Sequence, residues 1–295
     1  MIEPLSSKSD NTDINNLLRQ SSKLLKILLM DRTTNRNIIW ATNTYEKMGK
    51  GYRAADSITM KHVSGAQSTL IRPRIEKMKY EQKDRTKGKA EVFTPTWIVR
   101  LQNDVVDKEF QHLSLEEYVE KTWLEITCGE APYMVSRYDA VTGQLISISE
   151  RVGFVDRKLK IINEEIDDPS EWIRLVKKAY QASFGYEYQG DSLLIARENL
   201  LYTFIEYYQE KFQHLPDEEL QEEIAKIISY NVFQMDGLRD IVPLSELNSN
   251  LEQLDLFSDF EEFKALDEPK GIPVKIKDWK TNRMIEFRSL KEEQR

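Results

Sequence analysis

Three carboxylates fall at the ends of three short apolar runs: Glu125 in TWLEITCGEAPY, Glu187 in FGYEYQG and Asp236 in NVFQMDGL. A carboxylate accepts two hydrogen bonds from a vicinal diol, so an acid at a strand end suits ribose hydroxyls. A further strand-end acid can accept from the exocyclic amine of a purine. The first run leads into Cys128, Gly129 and Ala131, and its composition predicts a tight turn with a helix opening at Met134 and Val135. Backbone N–H groups at such a turn face outward and suit an anionic or nucleotide-like ligand. The histidines His62, His112 and His214 share no metal-ligand spacing, and a lone cysteine excludes a disulfide framework or a Cys-rich zinc site.

For those acids to meet, the runs must be strands of one sheet, and the intervening segments read as helices. Residues 184 to 188 are predicted as a strand followed by a helix from about 191 to 212. PDEELQEEIAKIISY is an amphipathic helix, and DDPSEWIRLVKKAYQA opens on Asp168 as cap and Pro169 in the first turn. Ser114 and Glu117 form a capping box before the first strand. Upstream, Thr94 and Pro95 read as N-cap and first helical residue, with Trp97, Ile98, Leu101, Val105 and Val106 as the apolar stripe. A packing helix is expected over 13 to 30 with Asp13 as its cap. NIIWAT and SITMKHV read as extended, without assigned chemistry. Residues 139 to 165, with a Thr142-Gly143 turn, read as an insertion that bulges from the sheet. The C-terminal part reads as two short strands, 273 to 279 and 284 to 288. The β-α-β-α-β order predicts an α/β fold: a mostly parallel sheet, helices on both faces, ligand outside the carboxyl ends of the strands.

The chain has 295 residues, 40% of them hydrophobic, enough for one large core or two modest ones. No apolar run approaches membrane-spanning length and the first residues lack a signal pattern, so the cytoplasm is the expected compartment. A net charge of −8 argues against bulk attraction to nucleic acid. Charge is uneven, however: residues 71 to 100 carry nine Lys/Arg against four acids, and 244 to 269 carry eight acids against one Lys. Arg72, Arg74, Lys83, Arg85 and Lys87 are therefore the expected phosphate contacts, and Leu254, Phe257 and Phe260 a place for a partner to dock.

In their order these segments resemble the adenine-N6 DNA methyltransferases of restriction-modification systems. EVFTPTWIV resembles that family's opening motif, which implies that Phe93, Thr94 and Pro95 line the methionine end of S-adenosylmethionine (SAM). LEITCGEAPY resembles its acid-x-x-x-Gly loop, giving Glu125, Cys128 and Gly129, with Glu125 facing the methionine amine. FGYEYQGDSLLIARENLLYTF resembles the ribose-binding motif, giving Glu187 and Tyr188. IISYNVFQMDGL resembles the motif whose acid reaches the adenine amine, giving Asp236 and Leu238 beside Gly237. The resemblance spans residues 91 to 238 and implies a Rossmann-like SAM-binding core over 91 to 243. A helical and extended segment, 1 to 90, precedes it; an acidic linker and hairpin, 244 to 295, follow.

Three departures qualify it. Ala131 stands where a second glycine is common, and the interval from Glu125 to Glu187 is far longer than in ordinary nucleotide-binding folds. The larger departure is that the 295 residues contain no Pro-Pro pair, whereas methyl-transferring members carry an Asn-Pro-Pro-Tyr type loop that grips a flipped adenine. No catalytic residue is therefore assigned. The resemblance implies a SAM-binding subunit or half-enzyme that meets DNA in a hetero-oligomer, with catalysis and target recognition supplied by a partner. The alternatives are a non-catalytic decoy or regulator and a fragment of a longer enzyme. A nicotinamide oxidoreductase suits the sheet but not the Phe-Thr-Pro segment or the Asp236 motif.

Overall fold

The structure, a computed structural model, describes residues 18–73, 76, 94–246 and 271–292. Residues 18–20 are helical, but Ser21 breaks the run and accepts a hydrogen bond from Leu24 N to start α1, Ser22–Leu28. The single helix expected over 13 to 30 is thus interrupted by a serine N-cap, and Asp13 lies outside the described residues. Leu24, Leu25 and Leu28 are buried. Next come two short strands, β1 (Met30–Asp31) and β2 (Arg36–Asn37), joined by a turn whose N–H groups bond to the Asp31 carboxylate. The extended readings hold in part: Asn37 of NIIWAT belongs to β2, and an Ile39–Ser57 bridge, Ile58 N to Ile38 O and Trp40 N to Asp56 O join it to the start of SITMKHV, which then turns into a 3-10 helix, Met60–His62.

Helix α2, Thr96–Asp107, begins one residue later than the sequence implies, with Pro95 at the N-cap position. Its expected apolar stripe faces the wrong way: Trp97, Leu101, Val105 and Val106 are exposed, and the buried positions are Val99 and Asn103. Polar anchoring overrides the pattern, because Asn103 Nδ2 donates to the carbonyls of Tyr133 and Val152, pinning that side of the helix inward. The Ser114–Glu117 capping box opens α3, Leu115–Val119, as expected.

Strand β3, Trp123–Glu125, leads to the Gly129 loop. Helix α4 is Phe154–Glu165 and α5 is Pro169–Gln181, the latter capped by Asp168. Strand β4 is Ser183–Glu187, α6 Gly190–Phe212, α7 Glu218–Asn231 and β5 Val232–Gln234. The three strands form a parallel sheet in the order β3-β4-β5, so β4 is central and almost wholly buried. The structure has the α/β character expected. Trp172 of α5 and Phe204 of α6 are fully buried and in contact, each worth roughly 2–3 kcal/mol of burial. The C-terminal hairpin is β6 (Lys275–Asp278), inside its predicted range, and β7 (Arg283–Glu286), which starts one residue before its predicted range; it ends in α8, Ser289–Glu292. Tyr186, Phe233, Met235, Val242, Val274, Ile276 and Phe287 join this hairpin to the sheet.

The stretch 139 to 165 is only partly the expected excursion. Helix α4 buries Phe154, Val155, Leu159 and Ile162 in the core and packs on α5 and α6. Its first amides, Phe154 N and Val155 N, bond to the carbonyls of Tyr133 and Met134. The helix expected to open at Met134 is therefore absent there. The chain turns at 132–134, makes a detour, and then supplies a helix that begins against the same carbonyls.

Candidate functional site

The carboxyl ends of β3, β4 and β5 open onto a cavity of about 880 Å³, a volume that suits a nucleoside-sized ligand. The loop after β3 supplies Ile126, Thr127, Cys128, Gly129, Glu130, Pro132 and Tyr133, beside Glu125 itself. Strand β4 and the turn after it supply Tyr186, Glu187, Tyr188 and Gln189, with Ser192 from α6; the turn after β5 supplies Asp236, Gly237 and Leu238. Thr94 and Ala41 close the wall from outside the sheet.

The loop after β3 is shaped by three alternating left-handed residues, Thr127, Gly129 and Ala131, with φ of 46°, 55° and 64°. Ala131 thus occupies a conformation that a glycine holds more easily, at roughly 1–2 kcal/mol for a residue with a Cβ. A Cβ on Gly129 would meet no atom within 4 Å, so this glycine answers the left-handed backbone and leaves the cavity open. Below the loop, a Cβ on Gly185 would come within 3.1 Å of Met134 Sδ and 3.4 Å of Cys128 Sγ. Gly185 therefore lets the loop settle on β4, where Cys128 N donates to Tyr186 O at 2.8 Å.

Glu125 and Glu187 are buried at adjacent strand ends. The Glu125 carboxylate does not stand free: it accepts from Tyr133 N at 3.2 Å and Met134 N at 2.9 Å, and so holds the far side of its own loop. Glu187 accepts from Gly129 N at 2.8 Å and Gln189 N at 3.0 Å, tying the glycine to β4. Each oxygen keeps a second lone pair for a ligand. Burial pushes the Glu125 carboxyl up to about 8 despite those amides, and Glu187 is raised for the same reason. Burial and the two neighbouring glutamates raise the Cys128 thiol well above its usual range, so it is a packing group rather than a nucleophile. Asp236 is half-buried and accepts from Leu238 N at 3.0 Å, which leaves Leu238 exposed at the cavity mouth. A Cβ on Gly237 would lie 2.6 Å from the Tyr186 ring, so only glycine lets this turn cross the tyrosine.

The amino end of α6 is closed by the chain itself. Gly190 N donates to Trp40 O at 3.0 Å, and Tyr45 Oη donates to Asp191 at 2.8 Å. A Cβ on Gly190 would stand 2.0 Å from Ile39 O. Gln234 at the end of β5 completes the seam by bonding both the N–H and the C=O of Ile39.

Of the expected cofactor residues, Thr94, Glu125, Cys128, Gly129, Glu187, Tyr188, Asp236 and Leu238 line this one cavity. Pro95 sits at the head of α2 outside the wall, and Phe93 lies outside the described residues. Glu125 lines the cavity while both its oxygens also accept from loop amides. Among the expected phosphate contacts Arg72 is half-buried, while Arg74, Lys83, Arg85 and Lys87 lie outside the described residues, as do Leu254, Phe257 and Phe260. Sequence reasoning assigned no role to Ala41, Ile126, Thr127, Glu130, Pro132, Tyr133, Tyr186, Gln189 and Ser192. All but Ala41 carried a signal, their nearness to the motif acids. Ala41 is brought in by long-range packing.

Among the described residues no helix is long and apolar enough to cross a membrane, and no cluster of His, Cys, Asp and Glu could hold a metal ion. Compared with known proteins, the chain matches no family model, no curated protein and no solved structure.

Proposed function

We propose that the cavity binds S-adenosylmethionine on a Rossmann-like sheet, and that the chain is the cofactor-binding subunit or half of a DNA adenine-N6 methyltransferase. The observation that carries this reading is the acidic composition of the wall, in which Glu125 keeps its proton until a cation draws it off. Glu125, Glu130, Glu187 and Asp236 line it, and none of its described residues is Lys, Arg or His. Such a wall disfavours a pyrophosphate and favours a nucleoside that bears cationic groups. The same conclusion follows from the helix ends: the loop after β3 runs into a turn, and α6 begins against Trp40. Neither offers the open helix N-terminus that a dinucleotide phosphate uses.

The donor set fits SAM. Glu187 has lone pairs for the ribose hydroxyls, Asp236 for the adenine amine, and the buried Glu125–Glu187 pair faces positive charge on the methionine side. Ile126 and Leu238, both exposed, give apolar edges for the purine. Bound SAM would supply an electrophilic methyl group on its sulfonium; the chain's residues bind, orient and electrostatically select. In this reading the grip on a flipped adenine comes from a Pro-Pro-aromatic loop outside these 295 residues, which hold no Pro-Pro pair.

Calorimetric titration with SAM, NAD and ATP tests the cofactor assignment. SAM should bind with a micromolar Kd, and each phosphorylated nucleotide at least about tenfold more weakly. Comparable or tighter binding of NAD or ATP overturns it. Transfer of a labelled methyl group to adenine in DNA, seen only when a polypeptide with the missing loop is added, tests the half-enzyme assignment.

A further inference from the structure

At the opposite end of the sheet from the cavity, we infer a binding surface for a nucleic-acid backbone, built by the β1–β2 and β6–β7 hairpins. The two hairpins meet directly: Lys275 N donates to Thr33 Oγ1 at 3.0 Å, and Thr33 Oγ1 donates to Lys275 O. Tyr230 and Asn231, which precede β5, mark this as the amino end of the parallel strands, and Trp279 Nε1 donates to Asn231 Oδ1 at 2.8 Å.

Residues 30 to 37 and 275 to 283 hold six cations, Arg32, Arg36, Lys275, Lys277, Lys280 and Arg283, against two acids. None of the six makes an ion pair among the described residues, whereas the cations of α5 and α3's surroundings, such as Arg174 and Lys178, are matched to Glu116, Glu120 or Glu171. The nearby acids are committed elsewhere. Asp31 is buried in its own turn, Asp278 accepts from Lys280 N and Thr281, and Glu286 pairs with Arg288.

Aromatic rings and uncharged oxygens, not carboxylates, hold the central cations in place: Arg32 Nε donates to Ser229 Oγ at 2.8 Å and Lys277 Nζ to Asn282 O at 3.3 Å. The Arg32 guanidinium lies 4.6 Å from the centre of the Tyr230 ring, and Lys277 Nζ lies 5.3 Å from Tyr230 and 5.6 Å from Trp279. Cations steadied in this way keep their charge available to an outside anion. Lys275 and Lys277 alternate along one strand, about 6.7 Å apart by the strand rise, which presents charge as a regular row. A regularly repeating polyanion matches such a row, and in a chain of net charge −8 a concentrated positive edge is a local device. Tyr230 and Trp279 are half-buried and contact each other edge to face, so the surface grips phosphates without stacking bases.

This inference does not rest on the cofactor assignment. Its test is fluorescence anisotropy of the full chain with a mixed-sequence duplex oligonucleotide across a salt series, with polyglutamate as the competing polyanion. The Lys275→Gln/Lys277→Gln double variant, which keeps the side-chain stems, should weaken binding at least tenfold and flatten the log–log salt slope by about 1.8. Lys160→Glu, on the exposed side of α4, should leave both unchanged, with melting temperatures confirming that all variants fold. Binding that survives the double substitution, an equal loss with Lys160→Glu, stronger competition by polyglutamate than by unlabelled duplex, or no binding by the parent chain overturns the inference.

Discussion

Glu125 shows how one side chain can serve a fold and a site together. Its carboxylate braces the loop through Tyr133 and Met134, and burial holds its proton on until a pH of about 8, against an ordinary value near 4.5. The folded state therefore keeps a proton that the unfolded state has lost, so this group's contribution to stability is full below pH 4.5 and declines as pH rises toward 8. A cationic ligand favours the ionised form. SAM binding at pH 6.5 should then release up to about one proton, measurable by calorimetry in two buffers of different ionisation heat, and affinity should rise between pH 6 and 9. Glu125→Gln should abolish the proton release; its persistence would assign the proton to another group. Lys158 has the opposite sign. It is fully buried with one acceptor, Lys121 O, and burial lowers its pKa to about 7. Its penalty is absent above pH 10.5 and fully felt below 7. Lys158→Met should raise stability at pH 7 by about 2 kcal/mol and by much less at pH 10, checked by denaturant titration at both values.

At the scale of elements, Arg197 fastens the N-terminal segment to the sheet. Its guanidinium donates to the carbonyls of Leu28 and Met30, to Ser229 O in the last turn of α7, and to Val232 O. These include helix-end carbonyls that would otherwise lack partners. Arg197→Met should cost about 3 kcal/mol or more and expose residues 18 to 70 to limited proteolysis before the rest of the chain. Resistance equal to the parent would show that the segment is held by apolar contact alone. Caps carried by short-range chemistry were legible in the sequence: Ser114 with Glu117, and Asp168 before Pro169, start helices where expected. The strands were legible too, because each buried run ends in an acid or a glycine. What failed was tertiary. The apolar stripe of α2 lost to the inward hydrogen bonds of Asn103, and the displaced start of α4 depends on carbonyls twenty-one residues earlier. No local pattern encodes either.

For the whole molecule, the cavity collects three motif acids from at or just past the carboxyl ends of three strands distant in sequence, which the parallel register brings to one rim. The N-terminal segment, to which the sequence assigned no chemistry, closes both the amino end of α6 and one side of the cavity through Trp40 and Ala41. The cavity and the basic edge lie at opposite ends of the sheet, so variants at the two should act independently. The central claim is that the acidic wall recognises SAM, and equilibrium dialysis of labelled SAM against the parent chain, Glu187→Gln and Asp236→Ala tests it most directly. The account predicts saturable binding at one site, weakened about tenfold or more by each substitution and unchanged by Lys275→Gln/Lys277→Gln. No saturable binding by the parent, or binding indifferent to Glu187 and Asp236, would contradict it.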